Sequence, residues 1–287
     1  MSSIEAGRLG FDASDDNNKS VKIRPDSRKD SYPLMRDCDA SCRLTAQHYL
    51  WKNLLGCLIH PNIPTRSDDL KIADVATGNG IWLCDVAQDQ PMSAELHGFD
   101  INLDQAGPKD WLPANIHMHT WNIFEEPPQF VGYFDVVHIR LITLVIKNGD
   151  PRPMLANFRK LLKPDGYLQW DEVDIYIGSS IETVPGVAAN SLDEISSQLL
   201  GNYTWKHHLK EIMNENGFTE SMLYKYEYGL DRARFWNNDY LSAWRELEKN
   251  GLQTLQVSDG LEKEAMNETA LGAAIMVPKL VWVSRKV

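Results

Sequence analysis

The first half of the chain contains glycines and a carboxylate at a spacing that suits a nucleotide-like ligand. Gly78 and Gly80 follow an apolar run that begins at Leu70, and Asp100 closes the next apolar run. Glycines between a strand and a helix let backbone N–H groups approach a ligand closely, and an acid at the end of the next strand can accept both hydroxyls of a ribose. The spacing therefore predicts a nucleotide-binding unit. The plain alternative is an ordinary strand-to-helix turn followed by an exposed aspartate.

The glycine spacing also bears on the kind of nucleotide. A dinucleotide site has the pattern Gly-x-Gly-x-x-Gly, in which the third glycine lets the helix pack closely on the strand. Here Gly80 is followed by Ile81-Trp82-Leu83, so the third glycine is missing, and an acid, Asp74, lies in the strand ahead of the turn. A nicotinamide oxidoreductase is therefore disfavoured.

Titratable residues also end the fourth and fifth apolar runs. His138 and Arg140 close one run, and Asp171 and Glu172 close the other. Ligands of open α/β sheets bind at the carboxyl ends of the strands, and a histidine with a pKa near neutral can act as a general base. We predict His138 and Glu172 as catalytic residues, although strand alternation puts Asp171 on the opposite face and leaves open which carboxylate reaches the site. The alternatives are a packed histidine and an ion-paired Arg140.

The elements that must position these residues follow from the hydrophobic periodicity. Strands are predicted at 71–76, 94–100, 116–121, 133–139, 167–173, 219–228 and 274–287. Helices are predicted at 39–58, 81–88, 150–162, 191–200, 205–216 and 235–250. Strands that alternate with helices at this spacing indicate an α/β fold with a mainly parallel sheet and right-handed crossovers.

An acid ahead of a glycine turn resembles the first motif of the class I S-adenosylmethionine-dependent methyltransferases, acid-x-Gly-x-Gly-x-Gly. The resemblance extends over about residues 32–175 and includes Leu161-Leu162-Lys163-Pro164-Asp165-Gly166 before the fifth strand. Segments such as Ala46-Gln47-His48-Tyr49-Leu50-Trp51 and Gln169-Trp170-Asp171-Glu172 look like the branch of this family that serves fungal secondary metabolism. The resemblance implies a Rossmann-like, mostly parallel seven-stranded sheet with helices on both faces and an antiparallel final strand.

The resemblance also implies S-adenosylmethionine as cofactor and assigns residues to it. Asp100 would bind the ribose, Asn122 and Ile123 would contact the adenine, and a helical cover at the N-terminus would hold the methionine carboxylate. The implied cofactor-binding residues are Tyr32, Arg43, Gln47, Asp74, Ala76, Thr77, Gly78, Gly80, Asp100, Ile101, Asn122, Ile123, His138 and Arg140. For the residues of the cover, the alternative is a solvated helix face.

Two residues depart from the family pattern. Ala76 stands where the family has its first motif glycine, and its methyl group is tolerable if φ is negative but could crowd the methionine moiety. Asn122 stands where the family has an acid at the adenine position. An asparagine side chain both donates and accepts hydrogen bonds, so recognition of adenine can persist.

Composition and patterning predict the organisation of the 287 residues. We expect a flexible arm at 1–30, an N-terminal helical cover at 31–66, and a methyltransferase-like domain at 67–287 with lid and acceptor elements at 176–217 and 234–266. The net charge of −11 disfavours nucleic acid and anionic membranes as partners, and no secretory signal or membrane span is visible, so we expect a cytoplasmic location. Cys38, Cys42, Cys57 and Cys84 read as reduced thiols rather than metal ligands.

The leading functional hypothesis is methyl transfer to O, N or S of a small secondary metabolite. A second hypothesis is an enzyme that binds the cofactor but catalyses a pericyclic or dehydration step, because a fold does not determine a reaction. A third is a non-enzymatic regulator of a biosynthetic pathway, which would bind the cofactor weakly or not at all. A homodimer is also left open.

Overall fold

The computed structural model describes residues 32–65, 67, 69–127, 129–175, 177–198, 203–249 and 260–287. The predicted arm at 1–30 lies outside these residues. The helices are α1 (Cys38–Leu55), α2 (Ile81–Asp89), α3 (Arg152–Leu161), α4 (Asn190–Gln198), α5 (Leu209–Glu215), α6 (Leu230–Lys249) and α7 (Leu261–Leu271). The strands are β1 (Lys71–Val75), β2 (Glu95–Asp100), β3 (Ile116–Thr120), β4 (Phe134–Arg140), β5 (Leu162–Val173), β6 (Ser180–Thr183), β7 (Phe218–Tyr226), β8 (Ala273–Met276) and β9 (Lys279–Lys286).

Seven strands form one sheet in the order β3-β2-β1-β4-β5-β9-β7. The pairs from β3 to β5 are parallel, whereas β9 runs antiparallel to both β5 and β7. The fold prediction is confirmed: the sheet has seven strands, is mostly parallel, and its final strand is antiparallel. Because β9 starts where β5 ends, the start of β9 lies at the carboxyl edge of the parallel strands.

The predicted single strand at 274–287 is wrong, because the structure divides it into β8 and β9 at Val277-Pro278. Proline has no N–H to donate to a neighbouring strand, so the ladder is interrupted there. β8 leaves the main sheet and pairs antiparallel with β6, a strand that the sequence patterning did not predict. The predicted helix at 205–216 is likewise divided, into a 3₁₀ turn at Thr204–His208 followed by α5.

Helices cover both faces of the sheet, and alternation along the strands supplies each face with apolar side chains. On β1, Ile72 packs with Trp82 of α2 and Trp51 of α1 on one face. The Val75 side chain points to the opposite face of the sheet, where it packs with Phe158 of α3. The buried polar side chains of Asp74, His138, Gln169 and Asp171 belong to the first of these faces, under α1 and α2.

The helices α1 and α6 pack against each other in antiparallel directions. Three pairs form a ladder between them: Arg43 with Glu246, Gln47 with Asp239, and Trp51 with Trp236. Residues Tyr32–Val287 form one compact unit, so α1 packs as part of the main domain. Among the described residues, no helix is long and apolar enough to span a membrane.

Candidate cofactor and active site

The turn after β1 has the left-handed backbone that its glycines permit. Gly78 has φ of 58° and Gly80 has φ of 75°, and the N–H of Thr77 donates to the Phe99 carbonyl oxygen at 3.0 Å. Ala76 also has a positive φ, 57°. The condition under which an alanine is tolerated without strain, a negative φ, is therefore not met, and a residue with a Cβ stands in a conformation that favours glycine.

Asp100 connects the end of β2 to this turn. Its Oδ2 accepts from the Gly78 N–H at 2.9 Å, and its Oδ1 accepts from the Asn102 N–H at 3.1 Å. Burial raises the pKa of Asp100 although both N–H groups oppose the rise. Each carboxylate oxygen keeps a second lone pair, so the group can accept further hydrogen bonds from a ligand.

Helix α1 lies over the glycine turn. Asn79 Nδ2 donates to the Ser41 carbonyl oxygen at 3.3 Å and to Thr45 Oγ1 at 3.0 Å. A Cβ added to Gly78 would lie 3.4 Å from the Leu44 side chain, so helix and turn are in close contact. The residues after the glycines and the N-terminal helix thus share the walls of one site.

Three predicted residues of the N-terminal segment face this region and α6. Arg43 is buried and binds Glu246 through Nε at 2.9 Å and Nη2 at 3.1 Å, which leaves Nη1 outside that pair. Gln47 Nε2 donates to Asp239 Oδ2 at 2.9 Å. Burial raises the pKa of Tyr32 to about 12, with Arg43 opposing the rise and Asp100 adding to it. None of the three is a solvated residue on a free helix face.

A row of buried polar groups crosses the centre of the sheet on the same face. Asp74 and His138 are register partners on β1 and β4, and Asp74 Oδ1 lies 2.7 Å from His138 Nδ1. His138 Nε2 lies 3.2 Å from Asp171 Oδ2 on β5, and the Trp82 ring stacks on the imidazole with centroids 3.9 Å apart. The other Asp74 oxygen accepts from Thr77 Oγ1 at 2.6 Å, so the row is joined to the glycine turn.

The charges in this row balance one another. Burial alone would lower the pKa of His138, but the bonds to Asp171 and Asp74 outweigh it and raise that pKa. Burial alone would raise the pKa of Asp171, but Arg140 and His138 lower it. The Arg140 guanidinium binds Asp171 Oδ2 through Nε at 3.2 Å and Nη2 at 3.0 Å. His138 and Arg140 therefore both stabilise the charged form of the buried Asp171 carboxylate.

This geometry bears directly on the two residues predicted to be catalytic. His138 is 1% exposed and both its ring nitrogens face carboxylates, so no nitrogen is free to take a proton from a substrate. Glu172 lies on the opposite face, where it accepts from the Ile142 N–H at 3.0 Å and from Thr143 Oγ1 at 2.7 Å. His138 therefore lies next to Asp171 and not next to Glu172. Glu172 instead binds the loop that follows β4.

The residues predicted at the adenine end lie beside the turn after β3. Asn122 Oδ1 accepts from the Phe124 N–H at 3.2 Å, and Asn122 Nδ2 donates to Glu125 at 3.1 Å. Ile123 is buried, and Ile101 after β2 is 44% exposed. The amide of Asn122 is therefore occupied by its own turn, whereas Ile101 offers an apolar surface next to Asp100.

Sequence reasoning missed three buried polar residues of this face. Gln169 donates to the Leu58 carbonyl oxygen and accepts from the His60 N–H, which fixes the segment after α1 on β5. Asp239 on α6 and Lys279 at the start of β9 are both buried close to α1. The sequence signal that could have pointed to Asp239 is its place between Trp236 and Tyr240, on the aromatic face of a predicted helix.

The strain at Ala76 yields a stability prediction. Replacing Ala76 with glycine removes the left-handed penalty, so the free energy of unfolding should rise by about 1 kcal/mol in urea denaturation. The matched control is Ala87→Gly in α2, where glycine should lower the free energy of unfolding by about 1 kcal/mol. A loss of stability in Ala76→Gly would contradict the assignment of strain.

The buried imidazolium yields a prediction about pH. His138→Gln leaves two carboxylates facing one guanidinium, so it should cost about 3 kcal/mol of unfolding free energy near pH 6. Since the folded pKa of His138 is raised above 6.5, its contribution is complete below pH 6.5 and is lost as pH rises through the folded pKa. Urea titrations from pH 6 to 9 should show the difference between the proteins narrowing.

Comparison with known proteins adds family evidence to this geometry. A family model described as a methyltransferase domain matches residues 47–220. The chain is 32% identical over 156 residues to methyltransferase grgD from Penicillium sp, covering 50% of this chain and 52% of that protein. It is 27% identical over 194 residues to N-methyltransferase verN from Clonostachys rogersoniana, covering 67% of each. The chain thus spans between half and two thirds of these relatives.

A solved structure supports the fold. Phosphoethanolamine N-methyltransferase 2 from Haemonchus contortus, in complex with phosphomonomethylethanolamine and S-adenosylhomocysteine, superposes with a TM-score of 0.52 at 16% identity. The match covers 88% of this chain and 59% of that chain, and at this identity it speaks for the fold alone. The family model matches more than half of the chain, so the chain belongs to the methyltransferase domain family, as a class I S-adenosylmethionine-dependent member similar to the fungal methyltransferases grgD and verN.

Proposed function

We propose that the protein transfers a methyl group from S-adenosylmethionine to N, O or S of a small secondary metabolite. The observation that carries this proposal is the Asp100 carboxylate, bound to the Gly78 N–H in a left-handed glycine turn that lies under α1. A buried carboxylate with free lone pairs beside such a turn suits a ribose. Family membership supplies the reaction class.

The residues of the site fit this cofactor. Asp100 would accept from the ribose hydroxyls, and Ile101 and Ile123 would flank the adenine. At the other end, Arg43 would bind the methionine carboxylate through Nη1, because Nε and Nη2 are already engaged by Glu246. Tyr32 lies close enough for Asp100 and Arg43 to act on its pKa, and would close the site between them.

The sulfonium of the cofactor supplies a methyl group that is already activated, so the chain mainly has to position and desolvate the reactants. Thr77 is fixed by Asp74, and Asp74 is fixed by His138. We therefore assign His138 and Asp74 as positioning residues of the glycine turn. Arg140, bound to Asp171 and 4.9 Å from the Trp51 ring centroid, would hold α1 against the sheet in the same way.

Nitrogen is the acceptor atom that the relatives favour. N-methyltransferases verN and tcpN, the second from Claviceps purpurea, are named for that chemistry, and the chain is 32% identical to tcpN over 133 residues. These alignments cover 67% and 47% of the two relatives, so nitrogen is a proposal for this chain. The lid and acceptor elements are proposed to include α6, which faces α1.

Cofactor binding can be tested by calorimetric titration with S-adenosylhomocysteine. Wild type should bind it, and Asp100→Asn should bind at least about tenfold more weakly, because hydrogen bonds to a charged group are lost. The control Asp110→Asn removes the same charge from an exposed position and should leave binding unchanged. Failure of wild type to bind S-adenosylhomocysteine would overturn the proposal and favour a non-enzymatic regulator.

The reaction itself can be tested with methyl-labelled S-adenosylmethionine and a panel of small metabolites bearing amine, phenol or thiol groups. Label in the organic product supports methyl transfer. Conversion of a metabolite to an isomer or a dehydrated product without label would overturn it in favour of the non-methylating alternative. Melting curves of each variant show that the protein tested is folded.

A further inference from the structure

Asp239 carries a buried carboxylate oxygen for which the structure provides no partner. Its Oδ2 accepts from Gln47 Nε2 at 2.9 Å, whereas its Oδ1 accepts no hydrogen bond among the described residues and is shielded from solvent. Buried polar atoms in folded proteins are nearly always hydrogen-bonded, because an unmade bond costs the full desolvation of the group. An orphaned carboxylate oxygen therefore points to a ligand that donates to it.

Among the described residues, none of the charged groups around Asp239 donates to its Oδ1. Arg43 on α1 and Glu246 on α6 neutralise each other in a bidentate pair. Burial lowers the pKa of Lys279 on β9 well below its usual value, and its Nζ donates to the Tyr240 hydroxyl and the Val277 carbonyl oxygen rather than to Asp239. Burial also raises the pKa of Asp239 to about 6, so the carboxyl is ionised at neutral pH. Asp239 also acts on the pKa values of Tyr228 and Tyr240. Burial raises both of these pKa values, so both hydroxyls are neutral.

Aromatic rings form the walls next to this carboxylate. Trp236 and Tyr240 flank Asp239 along α6, and Trp51 of α1 packs edge-on against Trp236 with centroids 6.4 Å apart. Lys279 Nζ lies 3.8 Å from the Trp236 ring centroid and donates to the Tyr240 hydroxyl. Such apolar walls suit the hydrocarbon part of an aromatic ligand.

The position of Asp239 relative to the proposed cofactor site follows from α1. Leu44 contacts the glycine turn at Gly78, and Gln47, which binds Asp239, lies one turn further along the same helix. Arg43, assigned above to the methionine carboxylate, is among the charges that act on Asp239. The carboxylate therefore lies beside the methionine end of the cofactor site, on the side of the lid helix.

A pocket adjoins this aromatic cluster at Tyr228. It measures about 320 Å³, and Glu182 and Glu227 are among its lining residues. Tyr228 also lines it, and the Tyr228 ring stacks on Trp236 with centroids 5.4 Å apart. This volume is in the range of small-ligand sites. The two glutamates in its lining favour a positively charged ligand.

We propose that Asp239 binds the N–H of an amine acceptor through Oδ1 and accepts the proton that the acceptor ammonium must lose before its nitrogen is methylated. This inference rests on the proposed function and narrows its substrate to amines. Transfer of one N–H proton to the Asp239 carboxylate frees the nitrogen lone pair, which forms the new N–CH₃ bond while the C–S bond breaks and its electron pair stays on sulfur. The positive charge of the sulfonium therefore ends on the methylated nitrogen, and the products are a thioether, an N-methylammonium and a neutral Asp239 carboxylic acid.

The test compares benzylamine with its neutral counterpart benzyl alcohol, each titrated into the full chain saturated with S-adenosylhomocysteine. At pH 7.5, wild type should bind benzylamine at least about tenfold more tightly, as expected for a charge-assisted hydrogen bond. Asp239→Asn should reduce the preference to about twofold or less. The control Asp231→Asn, exposed in the first turn of the same helix, should keep it. The preference should also fall as pH drops through about 6, because the Asp239 carboxyl becomes protonated.

The outcomes separate this inference from the proposed function. Equal binding of the two probes by wild type, or an unchanged preference in Asp239→Asn, would overturn the role of Asp239 while S-adenosylhomocysteine binding stands. Asn is close in shape to Asp and can still accept from Gln47 through its amide oxygen. The variant should therefore retain S-adenosylhomocysteine binding, which confirms in the same titration that it is folded. Absence of that binding in wild type would instead remove the proposed function itself.

Discussion

The buried carboxylate of Asp171 is the interaction on which the rest of this face depends. It is inaccessible to solvent and receives Arg140, His138 and Gln169 from three directions. A carboxylate in such a place is costly unless its partners are charged and well placed. Arg140 and His138 come from the neighbouring strand β4 and Gln169 from β5 itself, so the sheet register alone delivers them. The register that aligns β4 with β5 therefore also determines which charged groups surround the Asp171 carboxylate.

From Asp171 the polar contacts extend in two directions. One passes through His138 and Asp74 to Thr77 and so reaches the glycine turn. The other passes through Arg140 to α1, where His48 and Lys52 bind Asp85 of α2. Burial lowers the pKa of His48 even though Asp85 opposes the change. Both ends of the proposed cofactor site, the turn below and the helix above, are therefore fixed to one carboxylate.

The parts of this arrangement that the sequence predicts are those encoded locally. A glycine turn, a strand end and an acid about twenty residues later can be read from neighbouring residues, and Asp100 lies where this reasoning places it. The partners of His138 could not be read in this way, because 64 residues separate it from Asp74 and 33 from Asp171. The same holds for Asp239, which is 192 residues from Gln47. Pro278 can be seen in the sequence, but hydrophobic periodicity does not show that β8 lies outside the main sheet and pairs with β6.

Helix α6 carries two acids toward α1, and the difference between them is informative. Glu246 has both oxygens bound by one guanidinium, as expected of a residue whose task is to join two helices. Asp239, two turns earlier, shares one oxygen with α1, and its other oxygen is buried and has no hydrogen-bond partner in the part of the chain that the structure describes. A purely structural acid would gain stability from a second partner, but the nearby Lys279 Nζ donates to the Tyr240 hydroxyl and to the Val277 carbonyl oxygen instead. The fold therefore holds this carboxylate between α1, α6 and the start of β9, at the carboxyl edge of the parallel strands.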